Sequence, residues 1–138
     1  MAIKANIGNP KDGKTQQFEL DDDKSQALMG KKIGDKISGN QLGFDGYEFE
    51  LVGGSDSGGF PMRKDAIGTA RKKVLITGGV GLRAKRKGMR RRKTVAGNTV
   101  HDQTAQVNLK VAKQGKKPLG GEPEQAEGEQ EGSDEKKE

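Results

Sequence analysis

Thr104-Ala105-Gln106-Val107-Asn108-Leu109-Lys110-Val111-Ala112 carries the cleanest alternation in the chain: Ala105, Val107, Leu109 and Val111 fall on every second position. Apolar spacing with period two is the mark of a strand with one buried face. Working outward, Ile3, Ala5 and Ile7 alternate, and so do Gln16, Phe18 and Leu20. Asn9-Pro10-Lys11-Asp12-Gly13 between them is dense turn chemistry, so residues 2–8 and 15–20 are expected to form a β-hairpin. Asp23 is positioned to cap a short helix over 24–29, with Gly30 as its stop. A short strand is expected at 36–38. Asp45-Gly46 separates 41–44 from 47–52, where Tyr47, Phe49 and Leu51 alternate, which predicts a second hairpin. Residues 53–59 read as a flexible Gly/Ser loop, 71–77 as a strand with a buried centre, and Asn98 as a turn between strands at 94–96 and 99–101.

Short strands joined by Gly-rich turns predict a mainly β fold. Leu, Ile, Val and Phe number only 25 of 138 residues, and 22 residues are Gly. So few large apolar side chains favour a small closed or half-closed β-barrel with one short helix over a two-layer sandwich, and closure removes exposed strand edges. One domain, residues 1–118, is expected to carry an irregular basic extension, followed by a disordered acidic tail over 119–138. The chain has no Cys, which excludes a disulfide framework and a Cys-ligated metal site. The longest run of large aliphatics is Val74-Leu75-Ile76, and Met1-Ala2-Ile3-Lys4 has no apolar signal region. A cytoplasmic protein with no membrane partner is expected.

The net charge of +6 conceals a segregation. Residues 1–62 hold 7 basic and 10 acidic groups, and residues 63–93 hold 13 basic and 1 acidic. Residues 121–138 hold 2 basic and 8 acidic. A net +12 within 31 residues repels itself unless a polyanion neutralises it. The candidate contacts are Arg63, Lys64, Arg71, Lys72, Lys73, Arg83, Lys85, Arg86, Lys87, Arg90, Arg91, Arg92 and Lys93. Gly78, Gly79, Gly81 and Gly88 allow close backbone approach. No aromatic residue lies in 61–138, so base-stacking platforms are not expected, and folded RNA read by shape and backbone fits better.

Several motifs of enzymes and metal sites are present in letters only. Gly8-Asn9-Pro10-Lys11-Asp12-Gly13-Lys14-Thr15 matches the phosphate-loop pattern, with Lys14 and Thr15 as its working residues. That loop must open a helix, and period two over 15–20 argues against one. Gly79-Val80-Gly81-Leu82-Arg83-Ala84 matches a dinucleotide fingerprint but runs into Lys85-Arg86-Lys87, which offers no packing face. Asp21, Asp23 and Ser25 imitate the start of a calcium loop, without its Gly and final Glu. His101 stands alone. No nucleophile–base–orienter set is suggested, so neither an enzyme nor a small-molecule substrate or cofactor is expected.

Three stretches resemble a known family. These are Gly53-Gly54-Ser55-Asp56-Ser57-Gly58-Gly59-Phe60-Pro61-Met62-Arg63, Arg90-Arg91-Arg92-Lys93-Thr94-Val95-Ala96-Gly97-Asn98-Thr99-Val100, and Leu28-Met29-Gly30-Lys31-Lys32-Ile33-Gly34-Asp35. Over residues 1–118 the chain is similar to the archaeal and eukaryotic small-subunit ribosomal protein six family, the eukaryote type that is unrelated to its bacterial namesake. The resemblance implies a structural component of the small ribosomal subunit in translation. It also implies small-subunit ribosomal RNA and neighbouring ribosomal proteins as partners. By the same analogy Phe60, Pro61 and Met62 order the loop that starts the RNA-facing stretch. Eukaryotic members carry a long basic C-terminal helix with phosphorylated serines. An acidic stretch stands here instead, so the resemblance is to the archaeal form, and Ser133 matches no part of that serine cluster. A phosphate-loop nucleotide-binding protein and a general nucleic-acid chaperone are the competing readings.

Overall fold

The alternating stretches come together in a five-stranded sheet. The computed structural model describes residues 2–117 and 119. Its strands are β1 (Ile3–Asn9), β2 (Lys14–Leu20), β3 (Lys36–Ser38), β4 (Glu48–Asp56), β5 (Lys72–Ile76), β6 (Arg91–Val95) and β7 (Thr104–Lys113), with one helix, α1 (Asp22–Gln26). The large sheet has the order β2-β1-β7-β4-β3, and β5 and β6 form a separate two-stranded ribbon. β7 lies at the centre, parallel to β1 on one side and antiparallel to β4 on the other. Its Val107, Leu109 and Val111 are buried while Asn108 and Lys110 face solvent, as the alternation requires. Ala105 departs from that pattern, because the pairing slips between Ser55–Gln106 and Asp56–Thr104 and Thr104 turns inward instead.

The main core is a continuous cluster of strand residues, among them Ile3, Ile7, Phe49, Leu51, Val107 and Leu109, joined by Leu28, Met62, Ala96 and Val100 from the connections. A second, smaller core of Ala66, Ile76 and Val95, flanked by Val74 and Leu82, lies under the ribbon. Among the described residues no helix is long and apolar enough to cross a membrane.

Several expectations are corrected. The described strands do not close into a barrel: β2 and β3 remain the two ends of the large sheet. Side chains bring those ends near each other instead. Phe18 of β2 meets Phe44, from the connection after β3, edge-on at 5.0 Å, and Phe44 meets Phe49 at 5.8 Å. The Asp45-Gly46 hairpin does not form. Gly39–Leu42 makes a 3-10 turn that buries Leu42, and β4 pairs with β3 across the longer connection. Gly39 allows this because a Cβ there would lie 2.7 Å from the Tyr47 carbonyl oxygen. The helix starts two residues early, with Asp21 rather than Asp23 at its N-cap, and Gly30 closes the turn after it at φ 77°. Residues 53–56 belong to β4 and are not a loop, and β4 bulges at Val52, where the register slips between Leu51 and Gly53. The strands expected around Asn98 reduce to the end of β6 and single bridges, Met62 to Ala96 and Lys32 to Thr99. The tail over 119–138 lies outside the described residues, Leu119 excepted. Leu119 packs against the main core.

Candidate nucleic-acid interface

The basic stretch begins where β4 ends, on a buried carboxylate. In Asp56-Ser57-Gly58 the aspartate accepts backbone amides just ahead of it, a local turn that Asp favours. Its Oδ1 accepts from Gly58 N at 2.9 Å and Phe60 N at 3.1 Å. Its Oδ2 accepts from Arg71 Nε at 2.6 Å, and the side chain is 1% exposed. The Arg71 guanidinium also lies over the Phe60 ring, 4.9 Å from its centroid. Burial alone raises the Asp56 pKa. The Arg71 hydrogen bond, the amides of Phe60 and Gly58, and the Arg71 charge outweigh it and hold the carboxyl below its ordinary value.

From here the chain is tied to the main core. Met62 N donates to the Gly54 carbonyl at 2.9 Å, Ala96 N to Pro61 at 2.9 Å and Arg63 N to Ala96 at 3.3 Å. Asn98 then fastens the loop over 63–68. Its Oδ1 accepts from Gly68 N at 3.2 Å, its Nδ2 donates to the Lys64 carbonyl at 3.4 Å, and its backbone N donates to Ala66 at 2.7 Å. Close approach demands glycine at 97, since a Cβ there would lie 2.6 Å from the Gly68 carbonyl carbon and 3.1 Å from that of Thr69.

The ribbon carries the next cations. Lys72 stands opposite Val95, Lys73 opposite Thr94, Val74 opposite Lys93, Leu75 opposite Arg92 and Ile76 opposite Arg91. Opposed residues emerge on the same face. One face therefore bears Lys73, Leu75, Arg92 and Thr94. The other bears Lys72, Arg91 and Lys93 at the margin of the small core formed by Val74, Ile76 and Val95. Arg91, Arg92 and Lys93 are thus strand residues, where an irregular extension was expected through residue 93. Residues 77–90 are irregular. Gly79, Gly81 and Gly88 take positive φ there, and Leu82 packs back on the small core.

Of the thirteen cations expected to meet a polyanion, all but Arg63 are exposed. Two are engaged by carboxylates inside the chain. Arg71 pairs with Asp56, and Arg63 donates to Asp65 at 3.1 Å and to the Val80 carbonyl at 2.8 Å, with its side chain 20% exposed. The other eleven make no ion pair with another described residue. Sequence reasoning missed Asp56 and Asn98 as the residues that position this segment. The Asp-Ser-Gly turn signalled the first locally; nothing signalled its pairing with Arg71.

The competing motifs take other shapes. Gly8 and Thr15 are opposed in the β1–β2 ladder, so a strand follows Thr15 where a phosphate loop needs a helix. The turn amides are also committed: Lys11 N donates to Asn9 Oδ1 at 3.0 Å and Gly13 N to the Asn9 carbonyl at 2.9 Å. No helix follows residues 79–84. Ser25 is buried, its Oγ donating to the Asp21 carbonyl at 2.9 Å, and no group of three or more metal-ligating side chains is found among the described residues. His101 is half-buried, its Nδ1 near Thr99 O and Thr104 Oγ1.

This geometry defines a class: a small, mainly β protein that holds one strongly cationic segment outward on an Asp- and Asn-braced base. Comparison with known proteins is more specific. The family described as Ribosomal protein S6e matches residues 3–122. Small ribosomal subunit protein eS6 of Methanococcus maripaludis strain C6 is 46% identical over 127 residues, covering 92% of this chain and all of the relative. Its counterpart in Methanocaldococcus jannaschii is 43% identical, covering 82% of this chain and 84% of the relative. That of Archaeoglobus fulgidus is 43% identical, covering 86% and 93%. The chain belongs to the ribosomal protein S6e family.

Proposed function

We propose that the chain is a non-catalytic, structural constituent of the small ribosomal subunit of an archaeal ribosome, acting in translation in the cytoplasm. Its exposed Lys and Arg side chains between residues 63 and 93 neutralise phosphates of ribosomal RNA. One observation carries this reading: eleven exposed cations on one continuous segment have no described carboxylate partner. Phosphate neutralisation with counterion release is the interaction such an array serves. Arg63 and Arg71 brace the segment from within, and the remaining eleven meet RNA. Neighbouring ribosomal proteins are the other partners. The phosphate-loop alternative at Lys14 and Thr15 lacks the helix and free amides it requires.

The test is binding of a fluorescently labelled small-subunit RNA fragment measured across a salt series. If about 6 phosphates are neutralised, the logarithm of affinity falls with the logarithm of salt concentration at a slope near −5. Absence of binding at near-cellular ionic strength overturns the reading. Co-sedimentation with small subunits through a high-salt gradient separates it from a general nucleic-acid chaperone, which washes off.

A further inference from the structure

A second group of cations lies at the turn end of the first hairpin. Lys11 and Lys113 line one shallow hollow, and Lys14 and Lys110 line a second; Asn9 and Pro10 line both. All four lysines are exposed, and none makes an ion pair with another described residue. Carboxylates on the same elements leave them unneutralised. Asp12 accepts from Asn9 Nδ2 at 3.0 Å, and Glu48 and Glu50 stand opposite Lys113 and Lys110 without pairing with them. The described residues run out at this same place. After β7 the chain is pinned twice: the Tyr47 hydroxyl donates to the Lys117 carbonyl, and Leu119 packs against the main core. There Leu119 lines a small cavity together with Asn9, Lys14 and Gln16.

We propose that Lys11, Lys14, Lys110 and Lys113 form the docking surface for the chain's own acidic segment, residues 122–138, and hold it away from the cations of residues 63–93. That segment lies outside the described residues and carries 8 acidic and 2 basic groups. The tether and the charge pattern single it out. Glu122 is three residues beyond Leu119, so at most about 11 Å of chain separates it from a residue already beside Lys14. Tethering at that range gives the segment an effective concentration of order millimolar, which an untethered polyanion lacks. Its Glu122, Glu124, Glu127, Glu129 and Glu131 recur at every second or third position, which suits separate lysines spread over a turn and a strand end. Nucleic acid fits less well, because Asp12, Glu48 and Glu50 stand among these lysines and repel a backbone charged at every nucleotide. The two cationic surfaces are also well apart. Thr104 pairs with Asp56, where the basic segment begins, and Lys110 lies six residues further along β7, about 20 Å away. Docked on the hairpin, the acidic segment leaves residues 63–93 free.

The chain has no Cys, so a nitroxide attached through S133C in the full chain is its single label. Ser133 is fourteen residues beyond Leu119, a span of up to about 50 Å that reaches either cationic surface. In about 20 mM salt the amide signals of residues 9–15 and 110–113 are expected to be lost to paramagnetic broadening while those of β5 and β6 persist, and about 0.5 M salt restores them. Neutralising either side, with E122Q/E124Q/E127Q/E129Q/E131Q or with K11Q/K14Q/K110Q/K113Q, restores them at low salt. The turn pair K11Q/K14Q leaves β7 untouched, restores them in part, and guards against a folding defect in the fourfold variant. Broadening centred on β5 and β6, spread evenly over the chain, or unchanged by neutralisation overturns the inference. So does a loss of RNA affinity of about tenfold or more when K11Q/K14Q/K110Q/K113Q is added to the neutralised acidic segment, which assigns these lysines to RNA. The spin-label readout contains no RNA, so this inference and the RNA-binding reading fail independently.

Discussion

Asp56 shows how one residue converts a glycine-rich run into a fixed base. Nothing about Gly53–Gly59 taken alone distinguishes a mobile loop from an ordered one. Order comes from a carboxylate that accepts two local amides and a guanidinium fifteen residues further on. Asp56→Asn keeps the shape but loses the charge, and is expected to destabilise the chain by about 2 kcal/mol at pH 7, read by urea unfolding. The pH dependence has a definite sign. The folded pKa lies below the ordinary value of 3.8, so the stabilisation is present above that value. It is lost as pH falls through the lowered folded value. The stability gap between the wild type and D56N therefore narrows as pH falls below the ordinary value of 3.8. Gly97 is the second such residue. G97A drives a methyl group into the Gly68–Thr69 backbone, and a loss of about 2 kcal/mol in thermal or urea unfolding is expected. Neither effect was legible beforehand. The Asp-Ser-Gly turn could be seen in the sequence, but Arg71 and Gly68 are distant neighbours along the chain.

At the scale of elements, strands with strong local patterns were legible. β1, β2, β5 and β7 fall where alternation or a short apolar run put them. Two other signals failed for identifiable reasons. Asp45-Gly46 was a good local turn, but Leu42 and Phe44 gain more by plugging the end of the core than by forming a two-residue-turn hairpin. Arg91–Lys93 had no apolar alternation, and only the partner strand β5 makes it a strand. This changes the expected role of the arginines. Substituting Arg90, Arg91 and Arg92 together by Ala should flatten the salt dependence of RNA affinity by about 2 to 3 units if each meets a phosphate. Arg71→Ala should chiefly lower stability, because Asp56 then keeps a buried, unpaired charge. The ribbon rests on three buried residues, whereas the large sheet rests on sixteen. In the free protein, limited trypsin digestion should cut first within residues 77–90, where Lys and Arg are exposed and no ladder holds the backbone. A free protein in which this segment resists trypsin while β1–β7 does not would contradict that ordering.

The whole molecule is a division of labour by charge. The first 62 residues carry a slight acidic excess and most of the core, and the next 31 carry the cations. Lys4 stands opposite Glu19 in β1–β2, and Glu48 and Glu50 stand opposite Lys113 and Lys110 across β4–β7. The large sheet thus has neighbours of opposite sign on its own surface and leaves the basic segment as the chain's concentrated charge. RNA association should consequently be fast and strongly salt-dependent. Lys14→Ala, on the far hairpin, should leave RNA affinity within about twofold, the size of effect expected of a single exposed charge away from the contact. Titration with a fluorescent nucleotide should show no saturable binding that this substitution abolishes.

The charge segregation and the first hairpin followed from the amino-acid sequence alone. Each is a property of neighbours along the chain: charge adds up residue by residue, and a period of two is visible within a few positions. Only the tertiary structure decided that β1 lies parallel to β7, that the sheet stays open between β2 and β3, and that Arg71 and Arg63 are held within the chain. These depend on which distant segments meet. That choice is made by burying most of the apolar set at once and by finding partners for buried polar groups such as the Asp56 carboxylate.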